Sequence, residues 1–312
     1  MHMKRIISGI SAVLIFIAML FFPKAVFTGA ADGLLLWFQV VFPTLFPFML
    51  ISGVMLAGGG LSLISHIFGR LSTRLFATSS SGAFAVIAGF LCGYPMGAKI
   101  SADLVRTGNI TREEGCYLLS FCNNTSPVFI MNFIVWKTLG KEELMTPTLT
   151  ILMSVPVILS IPFRKFYLKG KKRFPDVKMK SSVAGKGFDM SVFDSCMMES
   201  FESIVKVGGY IIIFSILTAL LTEISGNNFI ILAIAPFLEM TNGIVLLNSF
   251  IPDLSVSYPL ILGLASFGGL CAAAQTECML GGSYIPICSY LMQKLAAAMA
   301  ASLIGMLYIR LL

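Results

Sequence analysis

The chain has little charge. Only 12% of its 312 residues are Asp, Glu, Lys or Arg, where a soluble domain carries roughly 25%. With 57% hydrophobic residues and a mean hydropathy of +0.89, the composition is that of a polytopic membrane protein. Histidine is almost missing, with His2 and His66 alone, and the seven cysteines form no Cys-x-x-Cys pair. Neither zinc-ligand spacing nor a redox dithiol is therefore present. No serine stands in a nucleophile elbow. The expectation is a protein that is not an enzyme and needs no metal or cofactor.

The net charge of +7 is concentrated in one place. Residues 164–189 hold nine of the 22 basic side chains and two of the 15 acidic ones, and the rest of the chain is balanced. A basic loop between apolar stretches reads as a cytoplasmic connection under the positive-inside rule, with anionic lipid and not nucleic acid as its neighbour. It divides the chain into an N-terminal membrane repeat with a leading span (1–163), the loop (164–189) and a C-terminal membrane repeat (190–312).

Lys4 and Arg5 precede an apolar run at 6–22, read as a retained first span with its N-terminus inside; the alternative is a signal peptide cut near Gly29. A second stretch, 34–56, bends at Pro43 and Pro47 and returns the chain to Arg70 and Arg74. Residues 83–105 contain a break and are expected to form a re-entrant hairpin. Thr111, followed by Glu113 and Glu114, caps a helix that breaks at 122–126, restarts at Pro127 and leaves near Lys137 and Lys141. Residues 144–161 then return to Arg164, so four crossings put the N-terminus and the basic loop on one side.

Beyond the loop, 188–205 reads as an amphipathic interfacial helix and 208–221 as a span. Residues 230–247 are interrupted at Pro236 and 239–243, 260–280 at Gly268 and Gly269, and 285–312 form the last span. The order of the first half recurs in the second. The expected fold is all-α, a polytopic membrane protein with broken helices and re-entrant hairpins arranged as an inverted repeat.

The breaks carry the chemistry. Non-helical backbone at membrane depth must be hidden from lipid, because unpaired N–H and C=O groups are costly in hydrocarbon. Paired broken helices build the binding sites of many transporters, where half-helix N-termini face anionic groups. Tyr94 and Pro95 open one half-helix, and Lys99 on it is placed to receive a carboxylate or to snorkel to headgroups. Ser126 is the natural N-cap before Pro127, with Thr125 beside it, which leaves Asn123 and Asn124 free to face a cavity. Glu239, followed by Thr241 and Asn242, is an intramembrane carboxylate, either a site for a coupling proton or cation or a fixed partner of Lys99 or Arg106. A shared site requires the first two breaks to meet.

Gly-Phe-Leu-Cys-Gly-Tyr-Pro-Met-Gly-Ala-Lys at 89–99, Leu-Leu-Ser-Phe-Cys-Asn-Asn at 118–124, Leu-Glu-Met-Thr-Asn-Gly at 238–243 and Ser-Phe-Gly-Gly-Leu at 266–270 resemble the YlbJ family of sporulation integral membrane proteins. That family contains the nucleoside-recognition or Gate domain. The resemblance runs from about residue 31 to the C-terminus. It implies a cell-membrane protein of endospore formation that moves dipicolinic acid across the outer forespore membrane. Gln275-Thr276-Glu277 resembles a Gln-Thr-Glu that helps hold the nucleoside in concentrative nucleoside transporters. The alternatives are a nucleoside-type solute transporter and a non-transporting scaffold needed for spore assembly. The expected partners are a small-molecule substrate and the lipid bilayer, with a homo-oligomer left open.

Overall fold

A computed structural model describes residues 2–177, 189–225 and 228–311, so part of the basic loop, 178–188, lies outside the described residues. Among those described, the regular structure is helical throughout. Helix α1 (His2–Phe21) ends at Phe22, and Pro23 opens the next helix at the position where its missing N–H has no partner to lose. From there the chain runs without a stop through α2 (Pro23–Leu36), a π-helical segment at Trp37–Val41 and α3 (Phe42–Ala57). The expected span at 34–56 thus begins at Pro23. The π-helical turn just ahead of Pro43 absorbs a proline that would otherwise clash with the preceding turn.

Helices α4 (Gly60–Phe76), α5 (Gly82–Cys92), α6 (Met96–Arg106) and α7 (Arg112–Cys122) follow. A short α8 (Pro127–Phe129) continues as a π-helical stretch at Ile130–Leu139, and α9 (Met145–Leu168) completes the first half. Thr111 caps α7 by accepting from Glu114 N at 3.2 Å, and Ser126 caps α8 by accepting from Phe129 N at 3.3 Å.

After the loop, α10 (Met190–Ser225) is one continuous helix of 36 residues. This corrects the expected division into an interfacial helix and a separate span. The helix passes through Gly208 and Gly209 because the Trp37 ring lies on Gly208, and the Trp37 indole N–H donates to the Ile204 carbonyl at 2.9 Å. Lys206 also pairs with Glu202 one turn before. What changes along this stretch is polarity, not conformation. The remaining helices are α11 (Phe229–Leu238), α12 (Met240–Phe250), α13 (Leu254–Phe267), α14 (Gly269–Leu280) and α15 (Ile287–Leu311). Pro236 sits inside α11 without interrupting it, and only Glu239 leaves the helical path between α11 and α12. Asp253 starts α13, accepting from the Ser255 hydroxyl and N–H, and these donors hold its carboxyl below the ordinary range.

Six stretches among the described residues are long and apolar enough to cross a membrane: Pro23–Ala57, Arg112–Leu139, Glu142–Leu168, Met190–Ile224, Leu254–Leu280 and Ile287–Leu311. The chain is a multi-pass membrane protein. Helices in lipid gain little from burying apolar surface, so close packing of small residues takes over. α10 lies antiparallel along α2–α3 in this way: a Cβ on Gly29 would be 2.9 Å from Ile216 Cα, and one on Gly33 would be 2.9 Å from Ile212 Cα. Farther along, Phe46 packs on Phe201 with ring centroids 4.5 Å apart.

The start of the basic loop is tied down. Phe174 is buried, stacks on Tyr117 and donates its N–H to the Ala77 carbonyl at 3.0 Å, while Asp176 accepts from Ser80 N at 2.7 Å. Lys171 and Lys172 beside it are exposed. If the positive-inside rule governs this end, a cysteine replacing Lys172 will stay unlabelled when an impermeant maleimide is added to intact cells, judged against the parent protein. Labelling equal to that in lysed cells would reverse the orientation.

Candidate functional site

Four interruptions of helix, at 93–95, 123–126, Glu239 and Gly268, meet inside the bundle. The first two join through backbone: Tyr94 N donates to the Asn124 carbonyl at 2.7 Å. Glycine at every fourth position makes this approach possible. A Cβ on Gly93 would lie 2.7 Å from Ser126 N and 2.9 Å from the Asn124 oxygen, and one on Gly89 or Gly97 would overlap the Cys122 carbonyl. Gly93 also has φ +79, which only glycine adopts freely. The Tyr94–Pro95 bond is cis.

The other two breaks close on these. Thr125 donates its hydroxyl to the Ala265 carbonyl at 2.6 Å, just before Gly268, and the Tyr94 hydroxyl donates to Met240 Sδ. A Cβ on Gly268 would be 3.5 Å from the Tyr94 ring, and one on Gly269 would be 3.2 Å from Met240 N.

At this junction lies a cavity of about 360 Å³, within the size range of small-molecule sites. Tyr94, Thr125 and Ser126 line it from the first two breaks, Glu239 and Thr241 from the third, and Gln275 from α14 beyond the fourth. Gln39 and Thr44 reach it from the α2–α3 rod and Asn132 from the second π-helical stretch. Phe129, Phe133 and Ile211 supply apolar wall. Gln39, Val40, Val128 and Asn132 are exposed and form its rim.

Among the described residues, no lysine, arginine or histidine lines the cavity. The carboxylate on its wall, Glu239, is buried and accepts from Thr241 N at 3.0 Å and Asn242 N at 2.8 Å, so it fills the positive end of α12. The N-terminus of α14 has no side-chain cap, and its first turn contributes Gly268, Cys271 and Ala272 to the wall.

Six of the residues singled out by sequence therefore line one cavity, and six do not. Asn123 is fully buried behind the wall; its Oδ1 accepts from Ala98 N at 3.2 Å, and its Nδ2 donates to Thr276 Oγ1 at 2.9 Å and to the Tyr290 hydroxyl at 3.0 Å. It acts as a cap for α6 from across the bundle. Asn124 donates its Nδ2 to the Phe121 carbonyl. The two asparagines are thus spent on the protein itself. Asn242 donates to Ser215 Oγ at 3.3 Å. Lys99 pairs with Asp103 at 3.1 Å, and Asp103 also binds Arg106, so Glu239 is partner to neither base. Glu277 is exposed on α14.

Sequence reasoning passed over Lys294. Its side chain is buried in α15, and Nζ donates to the Asn123 carbonyl at 2.9 Å and to Asn124 Oδ1 at 3.2 Å. Its amine satisfies the Asn123 carbonyl left open at the C-terminal end of α7. A lone lysine inside an apolar terminal span was the available signal. Gln39 and Asn132 were also missed, since nothing interrupts the apolar pattern around them. Both sit on π-helical turns, a feature frequent at functional sites.

The chain is distantly homologous to the sporulation integral membrane protein YlbJ of Bacillus subtilis (strain 168), at 26% identity over 216 residues, which is 65% of this chain and 53% of that protein. The chain spans about half the length of the curated relative it matches. No protein-family model matches the chain, and no solved structure matches it.

Proposed function

We propose that the chain transports a small anionic solute in endospore formation, most specifically dipicolinic acid across the outer forespore membrane. The observation that carries this reading is the cavity at which four helix breaks converge. The helices flanking two of the breaks, α5, α6, α11 and α12, have 10 or 11 residues each, too few to cross a bilayer that needs roughly 20. They fit two re-entrant hairpins, each followed by a broken span and an unbroken one, which is the order of an inverted repeat. The link to spore formation comes from the distant relative.

An anion in this cavity would meet dipoles and not basic side chains. The uncapped first turn of α14 offers amides at its positive end, and Ser126, Gln275 and Asn132 offer hydroxyl and amide donors. Glu239 opposes an anion while ionised, and a proton on it removes the repulsion. Coupling to a proton follows. Glu239→Gln is expected to keep dipicolinate binding and lose the response of uptake to an imposed pH gradient. Glu239→Ala, which also removes the cap of α12, will destabilise by about 1 kcal/mol. Uptake by Glu239→Gln that still follows the gradient would assign the proton elsewhere.

The absence of basic side chains among the described lining residues favours one rival, a neutral nucleoside-type solute. Uptake of labelled dipicolinate and of labelled nucleosides into proteoliposomes decides between them. Saturable dipicolinate uptake, blocked by unlabelled dipicolinate alone, is the expected result. Nucleoside uptake in its place would favour the rival, and uptake of neither would leave the scaffold role.

A further inference from the structure

Helix α4 has three faces where an amphipathic helix has two. Leu61, Gly69, Ser72 and Phe76 are buried against the protein. Ser62, His66, Arg70 and Arg74, four residues apart, form an exposed polar stripe. Leu63, Ile67, Leu71 and Leu75, also four apart, form an exposed apolar stripe, each at 56% exposure or more. At 3.6 residues per turn the centres of the three faces are roughly 120° apart.

A helix crossing the bilayer has no use for a polar stripe along its length that ends in two arginines. A helix in the membrane plane at the rim of the protein needs all three faces: one for the protein, one for hydrocarbon and one for headgroups. The charge of the third face is unbalanced, since among the described residues neither Arg70 nor Arg74 forms an ion pair. More positive charge lies at its end. Arg164 donates to the Leu75 carbonyl at 3.5 Å, and the backbone bond from Phe174 to Ala77 brings the start of the basic loop alongside.

We propose that α4 is an in-plane membrane helix whose Arg70 and Arg74 recognise anionic phospholipid headgroups. The two arginines stand one turn apart beside the apolar stripe, so a lipid whose phosphate they hold would lay its acyl chains along Leu63, Ile67 and Leu71. This surface lies outside the cavity lining and does not depend on what the cavity carries.

The test uses the full-length protein in mixed vesicles of phosphatidylcholine and phosphatidylglycerol, with bromine on the acyl chains of one lipid or the other. Ile67→Trp reports quenching at the apolar stripe, with the signal of the native tryptophans subtracted using the parent protein; Leu71→Trp serves if the first variant folds poorly. Quenching by both lipids is expected, stronger from brominated phosphatidylglycerol by up to about fivefold per arginine. Adding Arg70→Gln and Arg74→Gln should bring that ratio close to one while quenching by phosphatidylcholine persists. No quenching by either lipid would show the stripe wet or covered by protein and overturn the proposal. A ratio near one in the presence of both arginines, or one unchanged by their removal, would overturn it equally.

Discussion

Gly97→Val is expected to unfold the centre of the protein. A side chain there overlaps the Cys122 carbonyl and comes 2.9 Å from Asn123 Cα. Backbone yields to such intrusion only if it is free to move, and this segment is not. Asn123 is held by Ala98, Thr276, Tyr290 and Lys294 together. Overpacking usually costs about 1 to 3 kcal/mol, and a clash against pinned backbone belongs at or above the top of that range. Gly209→Val is the control, because open space surrounds the missing Cβ of Gly209 on α10. Thermal unfolding in detergent should show a large drop for Gly97→Val, a similar one for Gly89→Val and little change for the control. Equal melting of Gly97→Val and Gly209→Val would mean that the breaks are loosely joined.

Asn123→Ala should cost stability and uptake together. The substitution removes three side-chain hydrogen bonds in a fully buried site, and it orphans the Ala98 N–H in the first turn of α6. Buried groups left unpaired cost about 1 to 3 kcal/mol, so a loss of about 3 kcal/mol is expected, readable as a lowered melting temperature and reduced folded yield. Asn132→Ala forms the contrast. Asn132 is exposed on the rim of the cavity, and its truncation should weaken uptake with melting unchanged. Should Asn123→Ala melt like the parent and still abolish uptake, the asparagine would be touching the solute and not the protein.

The breaks were legible in the sequence because each needs residue types that stand out in an apolar chain. Pro95 and Pro127 begin helices, Ser126 caps one, and Gly93 and Gly268 take positive φ. The partners of those residues were not legible, since the breaks meet segments from some thirty to more than a hundred positions away. The spacing of Gly89, Gly93 and Gly97 announces a close approach, but nothing local says that residues 122–126 are what approaches. The course of α10 was hidden for another reason. Asp194, Glu199, Glu202 and Lys206 make its first half look like a surface helix, yet a helix leaving the bilayer changes solvent without changing its dihedral angles. Gln39 and Asn132 give no local sign at all, because one polar side chain in a helix alters neither its period nor its ends.

The bonds at the breaks run between the two halves of the chain. Tyr94 to Met240, Asn123 to Thr276 and Tyr290, Thr125 to Ala265, and Lys294 to Asn123 and Asn124 all join residues on opposite sides of the basic loop. Rocking one half over the other would rupture these six together, at roughly 1 kcal/mol net apiece and more while the site is dry. The wall formed by α2–α3 is held more lightly: Trp37 bonds to α10, Thr44 to its own preceding turn, and the bond from Asn242 to Ser215 ties α10 to the breaks. The stitched breaks are the frame of a sliding door, and the rod of α2–α3, carried with α10, is the panel that can move.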